Sequence, residues 1–181
     1  MSSGTSGSSP SKIYLDKNNA QNQVIALTKI MSTILGQVRI PMLIIDQNPK
    51  LIKKKSFNAR TAAIYGFSVF GKNHTYLLDE NNKINYEELK NFLKLFGDKP
   101  FFIFGFTSFI FEFLIEKFNT NKLIFDLSNG ILLHGGGWKK MEKKKINNKK
   151  FKQKLVQKFE LKNIYNYYGL IEQTGSIFLE C

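Results

Sequence analysis

The chain has 181 residues, 43% of them hydrophobic and 17 of them Phe, enough for one domain that buries roughly two-thirds of its surface. Its net charge is +13, from 27 Lys and Arg against 14 Asp and Glu, yet Arg39 and Arg60 are the only arginines, which argues against a DNA reader built on bidentate Arg contacts. The single cysteine, Cys181, excludes an internal disulfide framework and fits a reducing compartment.

The chain opens MSSGTSGSSPSK. Such a Ser/Gly stretch reads either as a flexible leader or as a phosphate-holding loop, because glycine lets backbone approach a ligand and hydroxyls donate to phosphate oxygens. It lacks a charged region followed by an apolar one, so no secretory signal is read and a cytoplasmic protein is expected. KIYLD is a short β-type run. From about Asn19, Val24, Leu27, Ile30, Met31, Ile34 and Leu35 recur at helical spacing, with Gly36 as the stop. RIPMLIID, Arg39 to Asp46, is continuously apolar in the manner of a parallel strand buried on both faces. NPKLIKKKS reads as a turn and a solvated basic loop.

Arg60 to Phe70 is predicted as a helix ending at Gly71, HTYLLD as a strand and NNK as a turn. Asn85 to Phe96 is an amphipathic helix with Leu89, Phe92, Leu93 and Phe96 on one face. PFFIFGF is a buried strand, after which Thr107 or Ser108 caps a helix carrying Phe111, Leu114, Ile115 and Phe118. The apolar run Phe101–Phe111 is stopped by Glu112 well short of the roughly 20 residues a membrane span needs. GILLHGGG is a strand running into a glycine turn, KKMEKKKINNKK a charge run, Lys149 to Phe159 a helix, NIYNYYG a strand and SIFLEC the start of another. Strands alternating with helices predict an α/β fold with a largely parallel sheet flanked by helices. One domain over residues 1–181 is expected, as the centre of a larger protein whose flanking parts lie outside the chain.

Three stretches carry candidate chemistry. Ser2 to Lys12 offers hydroxyls, Gly4, Gly7 and a lysine to a polyphosphate, but it does not match the G-x-x-x-x-G-K-[ST] loop of P-loop NTPases. His134-Gly135-Gly136-Gly137-Trp138 follows a strand, at the edge where α/β sheets bind ligands; an ordinary tight turn explains the same residues. Tyr168-Gly169-Leu170-Ile171-Glu172 places an aromatic ring and a carboxylate after a strand, suited to a base and to Mg²⁺. A surface loop with a solvated Glu is the alternative.

Taken together, SSGTSGSSPSK resembles the phosphate loop of the adenylate-forming superfamily of acyl-CoA synthetases, firefly luciferase and peptide-synthetase adenylation domains. YGLIE resembles its Tyr-Gly-x-Thr-Glu motif. RIPMLIID, ILLHGGGWKKME and YGLIEQTGSIFLEC are similar to the acyl-protein synthetase family, the luciferin-component ligases of bacterial bioluminescence, over essentially the whole chain.

The resemblance implies ATP-dependent activation of a long-chain fatty acid, or another carboxylic acid, to an acyl-adenylate, with transfer to a thiol on an acceptor protein. It assigns phosphate contacts to Ser3, Gly4, Thr5, Ser6, Gly7 and Lys12. It sets Gly135, Gly136, Gly137, Tyr168 and Gly169 beside adenine, and gives Glu172 to Mg²⁺, with Glu172 and Lys12 catalytic. Ile171 stands where the superfamily has Thr, and one lost hydrogen bond to a charged group is worth roughly 1.5–3 kcal/mol, which implies slower adenylation. The superfamily's ribose-binding Asp and mobile C-terminal lysine have no counterpart within these residues, so activity is expected of a longer parent chain. Cys181 reads as an inert buried thiol. His134 has a structural or orienting role, Trp138 packs, and Lys139 to Lys150 is a solvated run or a docking surface for an acidic carrier protein. A non-catalytic nucleotide- or partner-binding remnant and a basic nucleic-acid module are the alternatives.

Overall fold

The computed structural model describes residues 14, 16–50, 59–118, 125–169 and 176–180. It is a six-stranded sheet flanked by helices, an α/β fold. The strands are β1 (Ile40–Gln47), β2 (Gly71–Leu78), β3 (Phe101–Phe106), β4 (Gly130–Gly135), β5 (Asn163–Tyr168) and β6 (Phe178–Leu179), in the spatial order β2-β1-β3-β4-β5-β6. β1 to β5 run parallel, and only β6, paired with β5, is antiparallel. The strand that SIFLEC predicts is therefore this short edge strand.

Continuous apolar runs make the central strands because both faces are covered. In β1, Leu43 and Ile45 enter one core with Ile103 of β3 and Leu132 of β4, while Met42 and Ile44 enter the opposite core with Phe102, Phe104 and Leu133. The register Met42↔Phe102, Leu43↔Ile103 and Ile44↔Phe104 keeps this alternation coherent across strands. Four of the β3 residues, Phe101 to Phe104, are fully buried, each Phe contributing on the order of 1.5–3 kcal/mol of transfer free energy.

Helices α1 (Lys17–Leu35), α2 (Ala59–Ser68), α3 (Tyr86–Phe96) and α5 (Asn148–Phe159) cover the faces. Asp16 caps α1 by accepting from the Asn19 N–H at 2.8 Å, and Asn85 does the same for α3 with Glu88 at 3.1 Å. Gly36 ends α1 with φ +79°, as its position in the sequence predicts. Met31 and Leu35 are buried, but Val24 is 64% exposed, so the helical stripe outruns the sheet it packs on.

Two local expectations are corrected. Gly71 does not terminate α2. It begins β2, where a Cβ would come within 2.5 Å of Met42 Cβ. After β3, a short α4 (Thr107–Phe109) passes directly into a π-helical turn, Ile110–Glu116, and neither Thr107 nor Ser108 caps it. Ile110, Phe111, Phe113 and Leu114 of that turn are buried, so packing of four large side chains overrides ordinary α geometry.

Candidate functional site

The spatial order 2-1-3-4-5 has its switch point between β1 and β3, and ligands of open α/β sheets sit beyond the carboxyl ends of the strands near such a point. At the end of β1, buried Asp46 pairs with Arg60 Nε at 3.3 Å, and the Arg60 guanidinium lies 4.6 Å over the Phe109 ring that follows β3. One strand further on, β4 ends in His134 and Gly135.

His134 is 1% exposed. Its Nδ1 lies 3.0 Å from the Thr107 hydroxyl, which in turn lies 3.1 Å from the carbonyl of Gly135. Thr107 has one proton to give. Donating it to the carbonyl leaves the hydroxyl oxygen to accept from Nδ1–H, an assignment made from the hydrogen-bond network. That tautomer leaves Nε2 as a buried lone pair without a partner among the described residues, which costs less than a buried orphan N–H. Burial, and then the charge of Lys152, lower the ring's pKa from 6.5 to about 4, so it is neutral at pH 7. The Phe151 ring packs on it at 4.7 Å between centroids. His134 and Thr107 thus tie the end of β3 to the glycine turn; the sequence pattern suggests Thr107 as a helix cap, whereas its hydroxyl serves this tie instead.

The three glycines do different work. A Cβ on Gly135 would lie 2.5 Å from the Tyr167 ring, and one on Gly136, at φ +78°, would lie 2.7 Å from the Phe106 ring. A Cβ on Gly137 would meet nothing within 4 Å among the described residues. Close approach at the first two is taken up by the protein's own aromatics, and only the third faces open space.

The register Gly135↔Tyr167 sets Gly136 and Tyr168 side by side at the same rim. Tyr167 turns inward onto Phe67 and Phe104, at 5.0 and 6.4 Å, and burial pushes its hydroxyl up to about 12. Tyr168 turns outward and is 60% exposed, paired in register with Phe178. Gly169 is placed with Ile177 in van der Waals reach of a Cβ, at 3.4 Å. Trp138 packs on Phe111 at 4.9 Å and on Phe151 at 6.2 Å, as its packing role predicts. The turn and the aromatic tip that the sequence singles out are therefore neighbours. Ser3, Gly4, Thr5, Ser6, Gly7, Lys12, Ile171, Glu172 and Cys181 lie outside the described residues.

Two surface cavities, of about 630 and 470 Å³, lie elsewhere. The first is lined by Lys154, Lys158 and Asp126 among others, the second by Thr28, Arg39 and Phe70 among others, and neither includes the glycine turn or Tyr168. Among the described residues there is no group of three or more His, Cys, Asp or Glu side chains placed to hold a metal, and no helix is long and apolar enough to cross a membrane.

A mostly parallel sheet with a glycine turn, an outward tyrosine and an Arg60 paired to a buried Asp46 along the carboxyl ends of its strands defines an α/β protein, and that edge is where open α/β sheets generally bind ligands. Residues 1–181, the whole chain, match the family model described as "Acyl-protein synthetase, LuxE". The chain belongs to this family of acyl-protein synthetases, which are ligases. Comparison with curated proteins and with solved structures gives no match.

Proposed function

We propose that this chain carries the ATP-activating part of an acyl-protein synthetase, an α/β unit spanning residues 1–181 of an adenylation domain. A carboxylate oxygen of the acid substrate attacks the α-phosphorus of ATP, and the bond to pyrophosphate breaks to leave an acyl-adenylate. A thiol of the acceptor protein then attacks the acyl carbonyl and AMP departs. Negative charge grows on the phosphate oxygens in the first step, and donors fixed in advance at those oxygens lower its barrier.

The observation that carries this reading is the register of β4 on β5, which sets an exposed tyrosine beside a glycine turn in a chain of this family. Gly137 offers backbone with open space beside it among the described residues and Tyr168 is 60% exposed, a combination suited to a flat base. Gly135, Gly136 and Gly169 support the same edge. Ser3, Gly4, Thr5, Ser6, Gly7 and Lys12 supply the hydroxyls, N–H groups and cation for the phosphates, and Glu172 is the carboxylate for Mg²⁺. When bound, the ion would neutralise charge on the phosphate oxygens. Arg60, paired to the buried Asp46, and the Phe109 ring, at the switch point, would border the acid. A long-chain fatty acid is the substrate class proposed, and the cytoplasm the compartment.

The test is ATP–pyrophosphate exchange that depends on a long-chain fatty acid, measured in the full-length protein. Exchange is expected there, and Glu172→Gln should lower it tenfold or more, on the order of 1.4 kcal/mol or above in barrier. Nucleotide binding with no exchange under any acid would identify a non-catalytic remnant instead.

A further inference from the structure

Positive charge is unevenly spread along this chain. Residues 139–162 hold eleven lysines and only two acidic residues, Glu142 and Glu160, and so carry nine of the thirteen net positive charges. A uniform bias toward lysine would not concentrate them in this way. The segment comprises a 3₁₀ turn (Lys139–Lys144), α5 and the lead into β5. It leaves the glycine turn directly through Trp138, so its first half stands at the same rim as the candidate site.

The local electrostatics are self-opposing. Lys149 and Lys150 are exposed in the first turn of α5, which holds no acidic residue. The positive end of the helix dipole disfavours cations there. Further along the helix, Lys158 titrates below its ordinary range because of burial and then the charge of Lys154. Phe151, Leu155 and Phe159 take the opposite side of α5 into the core, which leaves Lys149 and Lys150 turned outward.

Three kinds of anionic partner could satisfy such a face. An anionic bilayer is held by apolar side chains as well as by charge, but Phe151, Leu155 and Phe159 of α5 are at most 1% exposed and Val156 packs half-buried against the same core. Nucleic-acid readers use Arg forks and free aromatic rings, but the segment has no arginine, and the nearby Trp138 ring is packed on Phe111 and Phe151. An acidic protein surface needs only the point charges that lysines provide.

We propose that Lys143, Lys149, Lys150 and Lys154 form a docking face for an acidic protein, the acyl acceptor, which this face holds beside the rim where the acyl group is activated. The identity of the partner as the acceptor rests on the function proposed above, while the docking itself does not.

The experiment measures binding of a fluorescently labelled Asp/Glu-rich peptide to the full chain without ATP, so docking and pyrophosphate exchange fail separately. The triple variant Lys143→Glu, Lys149→Glu, Lys150→Glu is compared with a triple of equal charge change elsewhere, Lys72→Glu, Lys90→Glu, Lys94→Glu. The first should weaken binding about tenfold or more and the second less than about threefold, with both effects shrinking at high salt. Reversal in the first turn of α5 favours the helix dipole, so the urea midpoint should hold or rise; the milder Lys→Gln triple, with a smaller loss, replaces it should the midpoint fall. Equal losses from the two sets, or no loss from the first, would overturn the docking face. Tighter binding of phosphatidylserine vesicles or duplex DNA than of the peptide, at matched ionic strength, would overturn the class of partner.

Discussion

Acidification should act on this protein through His134 more than through any exposed histidine. The ring is 1% exposed, donates from Nδ1 to Thr107, and has its pKa lowered from 6.5 to about 4 by burial and by Lys152. The unfolded chain binds a proton near pH 6.5 that the folded chain refuses until about pH 4, so stability is fully present above pH 6.5 and is lost as pH falls toward 4. At about pH 4.5 the unfolded state is almost fully protonated and the folded state mostly neutral, a difference of roughly 2–3 kcal/mol. Carboxylates titrate in the same range, so a non-titrating reference is needed. His134→Asn places an amide N–H near the position of Nδ1–H and has no proton to take up. Urea unfolding of both proteins at about pH 7 and about pH 4.5 should show the wild type losing roughly 2–3 kcal/mol more than the variant between the two conditions. Parallel losses would refute the argument, because they would mean that the ring is solvated or already charged in the folded protein.

The glycine turn separates fold from ligand in a pair of substitutions. Gly135→Ala drives a methyl into the Tyr167 ring, 2.5 Å away, and should destabilise by about 1–3 kcal/mol in urea titration. Gly137→Ala has open space around its Cβ and should shift stability by less than about 0.5 kcal/mol, while weakening ATP binding in calorimetry if the open side of the turn is where the base rests. Asn147 caps α5 by accepting from the Lys150 N–H at 2.8 Å. Asn147→Ala should cost about 1 kcal/mol, read as a lowered urea midpoint.

Much of the sheet is legible in the sequence because its strands are buried on both faces and therefore continuously apolar: RIPMLIID and FFIFGF admit little else. The helices α3 and α5 announce themselves through Asn caps and a stripe of Phe and Leu at three and four residue spacing. Two departures have a common cause. The π-helical turn after β3 and the strand-starting role of Gly71 are both set by what packs opposite, Ile110 to Leu114 against the core and Met42 against Gly71. Such partners lie far away in the chain, and local propensity does not contain them.

The candidate site divides along the same line. The sequence places a glycine triplet and a tyrosine pair after consecutive strands, and parallel pairing is enough to bring them to one edge. Which tyrosine faces outward is a different matter. Period-two alternation requires that Tyr167 and Tyr168 point to opposite faces, but it does not say which face is covered. Phe67 and Phe104 decide it by enclosing Tyr167, and Tyr167 in turn requires glycine at position 135. Glycine here therefore serves two masters, and composition cannot distinguish them: at Gly135 and Gly136 a side chain is excluded by the fold, whereas at Gly137 the space is free. If the edge binds a nucleotide, selection for binding acts on the third glycine and selection for packing on the first two. A substitution that spares stability but removes binding can thus come from the third alone.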